Sequence, residues 1–281
     1  MSGTLFVVAT PIGNLEDITL RALRVLREVD LIAAEDTRRT AKLLTHYAIA
    51  TPSISFHEHN TRSRLSQLLA RLEGHGTIAL VTDAGMPGVS DPGVELVQAA
   101  LAKGITVDVI PGPSAPLTAA VASGFPLEPF TISGFPPVKG RARTLWLEQV
   151  ASIPHSVSFF EAPHRIRKTL GELGVLLGLR PIVVGRELTK AHQEFVRGTT
   201  EAVLGQMGDP RGEYTIVLGP KPAEPAVLIV ASDQQIYTEF GQKTEHGPVT
   251  RRERVSAIAR KHGRPAKEIY AIIERIKNSV V

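Results

Sequence analysis

The sequence alternates between two hydrophobic periodicities, and this alternation constrains the fold more than any other feature of the chain. Short apolar runs rich in β-branched residues are followed by segments whose apolar residues recur every three or four positions, a spacing that indicates helices. In the first half these segments are TLFVVAT, DITLRALRVLREV, DLIAAEDT, RSRLSQLLARLE, TIALVT, GVELVQAALAKG and ITVDVI. Repeated strand–helix alternation predicts a mainly parallel sheet with helices on both faces.

The second half repeats the pattern with different segments, so two α/β domains are expected from a chain of 281 residues. Its strand-like and helix-like segments are PFTISGF, SVSFF, APHRIRKTLGELGVLLG, PIVVGREL, EFVRG, TTEAVLGQMG and EYTIVLG. A stretch rich in Pro, Ala and Glu, PKPAEPA, follows and indicates a linker. The predicted bounds are 1–113 and 114–222 for the α/β domains, 223–248 for the linker and 249–281 for a basic C-terminal module.

The C-terminal module carries a charge excess that the rest of the chain lacks. From Val249 to Val281 there are nine Lys and Arg against three Glu, although the net charge of the whole chain is only +4. Two helical patterns, RRERVSAIARKHG and RPAKEIYAIIERIK, meet at Gly263, and Ala259 and Gly263 have the four-residue spacing of a helix-turn-helix. A module that binds nucleic acid is one interpretation. A helical hairpin that only packs or dimerises is the other.

Composition excludes several classes of protein. The chain has no cysteine, so it forms neither disulfides nor thiolate metal sites, which fits a reducing compartment. Its first residues lack the basic flank, long apolar core and cleavage site of a signal peptide. Seven prolines between Asp108 and Arg141 argue against a membrane-spanning helix in the least charged part of the chain. We expect a soluble, cytoplasmic protein with no membrane contact.

Three glycine- and proline-rich loops follow strand-like runs: ATPIGN, TDAGMPGVSDPG and PGPSA. In open α/β sheets ligands bind beyond the carboxyl ends of the strands, where such loops let a ligand approach the backbone closely. The sequence GHGTIA has the form of a dinucleotide fingerprint, but it precedes a strand, and no Walker lysine follows a glycine loop. His57 and His59 alternate along FHEHN, but the chain has no HExxH motif. We therefore expect a small-molecule site without a metal.

Seven motifs occur in this order along the chain: ATPIGNLEDIT, AAEDTRRT, VTDAGMPGVSDPG, PGPSA, FFEAPHRI, GRELTKAHQEFVRG and RGEYTIVL. Together they resemble the tetrapyrrole methylase superfamily from about Thr4 to Gly219, and within it the methyltransferases of small-subunit ribosomal RNA. The resemblance implies a two-domain α/β fold of the class III methyltransferase type, a homodimer, and S-adenosylmethionine bound in the cleft between the domains. It implies methyl transfer, without a metal, to the ribose 2′-hydroxyl of a decoding-centre cytidine in the 16S rRNA of the small ribosomal subunit.

The resemblance also assigns residues to the cofactor site. Those it places along the cleft are Ile12, Gly13, Asp83, Ala84, Gly85, Val89, Ser90, Asp91, Ser114, Ala115, Phe160, Glu161, Glu213, Tyr214 and Thr215. By the same resemblance, Ile12 and Gly13 form the floor. The glycine-rich loop from Thr82 to Gly93 would let backbone amides and carbonyls reach the methionine and adenosine groups directly.

The ribose hydroxyl is a poor nucleophile, so a base that takes its proton is expected among the polar residues at the ligand edge of the sheet. The segments EDTRRT and GRELTK each follow a strand-like run, and with HEHN they supply such residues. The candidates are Glu35, Asp36, Arg38, Arg39, Arg186, Glu187, Lys190, His57, Glu58, His59 and Asn60. Asp36 or Glu187 is the candidate base. Arg38, Arg186 and Lys190 are the candidates for holding phosphate or ribose.

Two other functions stay open at the level of sequence. A methylase of a porphyrin-like ring or another small acceptor would share the fold and the donor, but it would not need the basic tail or EDTRRT. A nucleic-acid-binding dimer without enzymatic activity would leave the three glycine-rich loops unexplained. For an RNA substrate, phosphate contacts are expected from the segment KGRAR, Lys139 to Arg143, and from the C-terminal module.

Overall fold

The computed structural model describes residues 3–57, 60–222, 231–241 and 250–279. The chain forms two compact units, Met1–Pro222 and Ala223–Val281. The first contains two five-stranded sheets and the helices that cover them, and the described part of the second is helical. None of the described helices is long and apolar enough to cross a membrane.

Sheet 1 is entirely parallel, as the strand–helix alternation predicts. Its strands are β1 (Thr4–Val8), β2 (Leu31–Ala34), β3 (Ser53–Ser55), β4 (Thr77–Val81) and β5 (Thr106–Ile110), in the order β3-β2-β4-β1-β5. Its helices are α1 (Leu20–Glu28), α2 (Thr37–His46), α3 (Thr61–Glu73) and α4 (Val94–Ala102). Val8 and Ile32 belong to a core with α1 and α2, whereas Val7 and Leu31 belong to a second core with α3 and α4. Alternate strand residues therefore fill both faces of the sheet.

Helix α2 was not expected from the sequence, in which EDTRRT was interpreted only as polar residues beyond a strand. Asp36 has an extended backbone and caps the helix, because its carboxylate accepts a hydrogen bond of 2.8 Å from the amide of Arg38. The helix buries Thr40, Leu43 and Leu44 behind this polar first turn. Three buried side chains over ten residues are too few for the helical periodicity to be recognised.

Sheet 2 is mixed. Its strands are β6 (Phe130–Ile132), β7 (Ser156–Glu161), β8 (Ile182–Arg186), β9 (Glu194–Gly198) and β10 (Tyr214–Leu218), in the order β6-β7-β10-β8-β9. Its helices are α5 (Ala115–Ser123), α6 (Gly140–Ser152), α7 (Ile166–Leu177) and α8 (Thr200–Gln206). Parallel pairing, which the alternating pattern predicts, is found here only between β6 and β7. Strands β8 and β9 are joined directly by residues 187–193, and a short connection without a helix produces an antiparallel hairpin.

The loops after β1, β2 and β4 meet at the carboxyl edge of sheet 1. The main-chain groups of Thr10 and Gly85 exchange hydrogen bonds of 2.9 and 3.0 Å between the first and third of these loops. The amide of Asp83 donates a hydrogen bond of 3.1 Å to the carboxylate of Glu35, which follows β2. Because β1 and β2 both pair with β4, residues about 50 to 75 positions apart in sequence are brought to one rim.

The C-terminal unit contains α9 (Asp233–Gly241), α10 (Arg251–His262) and α11 (Ala266–Ser279), which share an apolar core. Helix α10 begins with a capping box of Thr250 and Glu253 and ends at Gly263, whose φ of 60° is readily adopted by glycine. The sequence predicts this break. Helix α9 lies within 223–248, the segment predicted as a linker, and buries Ile236 in the shared core.

Acidic residues of α9 neutralise part of the basic excess of this unit. Asp233 pairs with Arg264 and Arg275, and Glu239 pairs with Lys261. The net charge over the described residues of the unit is +4. Exposed basic side chains for which no ion pair is found within this described part are Arg252, Arg260, Lys267 and Lys277.

Candidate active site

A cavity of about 390 Å³ opens at the carboxyl edge of sheet 1, and both sheets contribute to its walls. On one side it is lined by the loops after β2 and β4 and by the first residues of α5. On the other side it is lined by the end of β7 and the start of β10. The cavity lies where open α/β sheets bind their ligands, and its volume suits a small molecule.

The loop after β4, TDAGMPGVSDPG, forms most of the wall on the side of sheet 1. Its six lining positions that the sequence also predicts are Asp83, Ala84, Gly85, Val89, Ser90 and Asp91. Ser90 has a φ of 66°, in the left-handed region that residues other than glycine seldom occupy. Ile12 is buried at the floor in a small core with Leu188, so the floor joins the two halves of the unit.

Glu161 is a buried carboxylate in the wall on the side of sheet 2, and its charge is fully engaged by the protein. One oxygen accepts a hydrogen bond of 2.5 Å from the hydroxyl of Thr169. The other lies 3.0 Å from Nε of Arg165. A carboxylate with these partners fixes the end of β7 in place.

Fourteen of the fifteen residues that the resemblance assigns to the cofactor line this cavity. They are Ile12, Asp83, Ala84, Gly85, Val89, Ser90, Asp91, Ser114, Ala115, Phe160, Glu161, Glu213, Tyr214 and Thr215. Gly13 is not among them. A side-chain carbon at Gly13 would lie 2.6 Å from the carbonyl oxygen of Leu188, so glycine permits a close approach between the two halves of the unit. The role of all fifteen residues in holding a cofactor stays a prediction.

The five residues predicted to act on the acceptor are absent from the lining of this cavity. Asp36 lies 2.7 Å from the guanidinium of Arg38, whose hydrogen bonds hold the pKa of Asp36 far below its ordinary range. Glu187 accepts hydrogen bonds of 2.9 Å from Nζ of Lys190 and from the amide of Glu213. Burial raises the pKa of Glu187, but these hydrogen bonds outweigh it, so the pKa is lowered. Asp36 and Glu187 are therefore held ionised by hydrogen bonds from Arg38 and from Lys190.

Arg186, the remaining member of this set, lines a separate cavity of about 340 Å³. Its Nε lies 3.0 Å from a carboxylate oxygen of Glu194 in the same cavity. Tyr214 lines both cavities, so the start of β10 separates them.

Glu35 and Arg39 line the main cavity, although the prediction selected their neighbours in EDTRRT. Successive side chains of an extended chain point to opposite sides. The extended backbone of Asp36 therefore turns its carboxylate toward α2, while Glu35 and the helical residue Arg39 line the cavity. The sequence offered Glu35 and Arg39 among its candidates, and the capping role of Asp36 is the signal that favours Glu35 over Asp36.

Three carboxylates in the cavity have raised pKa values. Burial is the largest cause at Glu35 and at Asp83, and the charge of Asp83 adds to the effect at Glu35. At Asp91, burial and then the charges of Glu35 and Asp83 raise the pKa to about 7. Glu35 and Asp83 have hydrogen-bond partners, and Asp83 also lies 3.4 Å from Nε of Arg39. No hydrogen bond or ion pair is found for the carboxylate of Asp91 within the described residues.

This cluster favours a positively charged ligand. Burial raises the pKa of all three carboxylates, and the charges of Glu35 and Asp83 raise that of Asp91 further, so a cation that enters the cavity stabilises their ionised form. Arg39 lines the cavity but faces Asp83 at the surface, with 60% of its side chain exposed. The empty cavity is thus short of positive charge.

The structure gives no indication of a metal at this site. No group of three or more His, Cys, Asp or Glu side chains is arranged to hold one within the part of the chain that the structure describes. His57 is hydrogen bonded to the side chain of Asn60. His59, the other candidate ligand, lies outside the described residues.

The predicted RNA-contacting segment KGRAR divides into exposed and buried parts. Lys139 and Arg141 are exposed. Arg143 is buried, and its Nε and NH2 donate hydrogen bonds of 2.8 and 2.6 Å to the carboxylate of Glu172. The prediction is therefore wrong for Arg143, because its guanidinium is buried and paired with Glu172 of α7.

Comparison with known families decides the relationship. Residues 4–204 match the family model described as Tetrapyrrole (Corrin/Porphyrin) Methylases. The chain belongs to this family. The match covers the cavity on the side of sheet 1 and most of sheet 2, and it ends before the C-terminal unit.

Two relatives agree in their description. A protein of Halalkalibacterium halodurans named ribosomal RNA small subunit methyltransferase I is 42% identical, covering 96% of this chain and 94% of its own. A protein of Thermotoga maritima with the same name is 46% identical over 221 residues, covering 78% of this chain and 99% of its own.

Two solved structures share the fold. A diphthine synthase has a TM-score of 0.64 at 15% identity, covering 79% of this chain and 92% of its own. The uroporphyrin-III C-methyltransferase of Thermus thermophilus, complexed with S-adenyl homocysteine, has a TM-score of 0.55 at 21% identity. It covers 77% of this chain and 97% of its own. These structures confirm the predicted two-domain α/β architecture.

The raised pKa of Asp91 predicts how stability depends on pH. The folded protein keeps Asp91 protonated up to about pH 7, whereas the unfolded chain ionises it near its ordinary pKa of about 4. Stability contributed by this group is present below about pH 4 and is lost as the pH rises toward 7. Asp91→Asn removes this loss. The melting temperature of the variant minus that of the wild type should therefore increase from pH 4 to pH 7.

Thermal melts of both proteins across this range measure the effect. Asp209→Asn is the matched control, because the side chain of Asp209 is 90% exposed. A difference between Asp91→Asn and wild type that stays constant or shrinks as the pH rises would show that Asp91 is not held protonated.

Proposed function

We propose that this protein transfers a methyl group from S-adenosylmethionine to the ribose 2′-hydroxyl of a cytidine in 16S rRNA of the small ribosomal subunit. The observation that carries the proposal is the cluster of Glu35, Asp83 and Asp91 in a cleft short of positive charge. Two relatives named ribosomal RNA small subunit methyltransferase I support the acceptor.

The donor fits the charge of the cleft. S-adenosylmethionine carries a sulfonium and an ammonium group, and both cations favour the ionised form of the three carboxylates. Apolar contacts for the rest of the molecule come from Ile12 and Phe160, which line the same cavity. The donor would be held by the fourteen lining residues that the resemblance assigns, with Gly13 fixing the floor from outside.

The protein's main contribution to catalysis is placement. When bound, the donor supplies an already activated methyl group, so the chain has to orient the hydroxyl and exclude water. The Glu161–Arg165–Thr169 network holds one wall rigid, and the packing of Ile12 with Leu188 joins the two halves at the floor, where glycine at position 13 permits their close approach. A preorganised cleft of this kind lowers the entropy cost of bringing the two reactants together.

Asp91 is the best placed carboxylate to accept the proton of the hydroxyl. It has a pKa of about 7 and lines the cavity, and the structure shows no partner for it in the described residues. A base is most effective when its pKa lies near the working pH. Asp36 and Glu187, the candidates from sequence, are occupied by Arg38 and by Lys190. Their direct role stays a prediction that kinetics can test.

A kinetic comparison distinguishes these carboxylates. Asp91→Asn should lower the rate of methyl transfer by roughly 10²–10⁴, because the variant cannot accept the proton. It should also remove the rise in rate with pH that ionisation of Asp91 gives the wild type, a rise that the bound cationic donor moves below pH 7. Asp36→Asn keeps a residue that caps helices well and should stay within a few fold of wild type. Single-turnover rates at saturating donor, measured from pH 5.5 to 9, provide the data. A large loss in Asp36→Asn with a normal Asp91→Asn would assign the base to Asp36.

The acceptor is tested by incubating the protein with small ribosomal subunits and donor labelled in the methyl group. Label should enter 16S rRNA, and the bond after the modified nucleotide should resist alkali, because a 2′-O-methyl group removes the hydroxyl that attacks the phosphate. A parallel reaction with a porphyrinogen as the acceptor tests the alternative of a small-acceptor methylase. Label in the porphyrinogen alone would exclude the proposed function.

We propose a homodimer as the working form, located in the cytoplasm with its ribosomal substrate. Leu117 and Val121 lie four residues apart on α5 with 51% and 71% of their surface exposed. Exposed apolar side chains on one helical face support an interface.

Deletion of residues 249–281 should weaken RNA binding and reduce its dependence on salt, because the exposed lysines and arginines of this unit would no longer neutralise phosphates. Donor binding should be unchanged, since the whole cavity is built from residues of the first unit. Titrations of RNA at several salt concentrations and calorimetry with the donor measure the two properties. Equal RNA affinity and an equal salt slope would assign the C-terminal unit another role.

A further inference from the structure

We propose that the loop of residues 133–139 carries a stacking site for an unpaired nucleobase of the RNA acceptor, with the ring of Phe135 as the platform. This inference rests on the proposed function, and it concerns the acceptor rather than the donor. The loop connects β6 to α6 and has the sequence SGFPPVK.

Phe135 is a large aromatic residue at the rim of the cavity with 52% of its surface exposed. Its ring packs against that of Phe160, with 5.1 Å between the centroids and 33° between the planes. Phe160, which lies in the cavity wall, therefore supports the exposed ring of Phe135. Val138, three residues further on, is 69% exposed and adds apolar surface to the same loop.

The loop that presents Phe135 is held rigidly by hydrogen bonds on both sides of it. The carbonyl of Gly134 accepts a hydrogen bond of 2.9 Å from the amide of Phe160. The carbonyl of Pro136 accepts from the guanidinium of Arg165, and that of Pro137 accepts from Arg143 at 3.1 Å. An exposed aromatic ring on a fixed backbone binds a partner at little cost in conformational entropy.

The two arginines that hold the loop are themselves fixed by carboxylates. Arg165 pairs with Glu161 in the cavity wall, and Arg143 pairs with Glu172 of α7. The side chain of Arg143 is only 5% exposed. The same network therefore sets the cavity wall and the platform, so their relative position is part of the fold.

The charges beside the platform favour a polyanion. Lys139 and Arg141 follow it directly and are exposed, and no ion pair is found for either of them within the described residues. Aromatic side chains next to unpaired cations form the usual arrangement for binding single-stranded RNA, because rings stack on bases while cations contact phosphates. A purely apolar partner would leave these two cations unpaired.

The platform lies beside the proposed proton acceptor. A side-chain carbon added at Gly134 would be 3.1 Å from Oγ of Ser90, the residue before Asp91. The loop of Phe135 and the loop of Asp91 thus approach each other at one rim of the cavity. Stacking of a base on Phe135 would bring the ribose of the same nucleotide to the side of the cleft that carries Asp91, the proposed proton acceptor.

Substitution of Phe135 tests the inference with two independent readouts. Phe135→Ala should raise the KM for small ribosomal subunits about 5- to 150-fold, the range expected for one lost base–aromatic stack. Phe135→Trp should keep KM near the wild-type value, and Phe135→Leu, which retains apolar area without a π-face, should lie near Phe135→Ala. The Kd for S-adenosylmethionine should stay within about twofold in all three. Val175→Ala is the matched control, because Val175 is 86% exposed on α7 and is not part of the cavity.

The outcomes separate this inference from the proposed function. Unchanged KM in Phe135→Ala, or a weaker donor Kd with unchanged KM, would overturn the platform while leaving methyl transfer to RNA intact. If wild-type protein methylates only a small acceptor, the proposed function fails, and binding of a single-stranded cytidine oligonucleotide then decides the platform. Loss of that binding in Phe135→Ala and its retention in Phe135→Trp would support the platform, and equal binding by wild type and both variants would overturn it.

Discussion

The burial of three carboxyl groups in one cleft, with Glu35 and Asp83 repelling the charge of Asp91, is the constraint on which the site depends. Strands β2 and β4 are neighbours in sheet 1, so the residues that follow them, Glu35 and Asp83, meet at one rim. The long loop after β4 returns Asp91 to the same place. The charges of Glu35 and Asp83 make ionisation of Asp91 harder, and burial raises the pKa of all three groups even though Arg39 lies 3.4 Å from Asp83. Such a site gains most from a ligand that brings positive charge.

The wall opposite this cluster contains a carboxylate whose charge is neutralised by neighbouring side chains. Glu161 is surrounded by donors, and the arginines that neutralise it also hold the carbonyls of the loop that bears Phe135. One side of the cleft therefore has carboxyl groups with raised pKa values, and the other has a neutralised carboxylate and an exposed ring. This division matches a reaction with two substrates, in which a cationic donor enters deep in the cleft and a polyanion approaches from outside.

Hydrophobic periodicity predicted the strand–helix alternation and the parallel sheet 1, because it depends on local residues. The family resemblance named fifteen residues as cofactor ligands, and fourteen of them line the cavity, but their role in binding stays a prediction. Periodicity did not reveal α2, since the first turn of this helix is polar. Without the helix, it could not be seen that Asp36 caps α2 while Glu35 lines the cavity. Periodicity also missed the antiparallel insertion of β10, because strand pairing is set by contacts distant in sequence. The burial of Arg143 and the exposure of Phe135 depend on how α6 and α7 pack, which no local pattern reports.

The most direct test is the number of protons released when ligands bind at pH 7, measured by calorimetry in buffers of different ionisation enthalpy. S-adenosylmethionine and S-adenosylhomocysteine share their amino and carboxyl groups, so the difference between them isolates the sulfonium. We expect a greater release of protons with S-adenosylmethionine, because its cation drives the half-protonated carboxyl group of Asp91 to ionise. Equal release with the two ligands, or no binding of either, would contradict it.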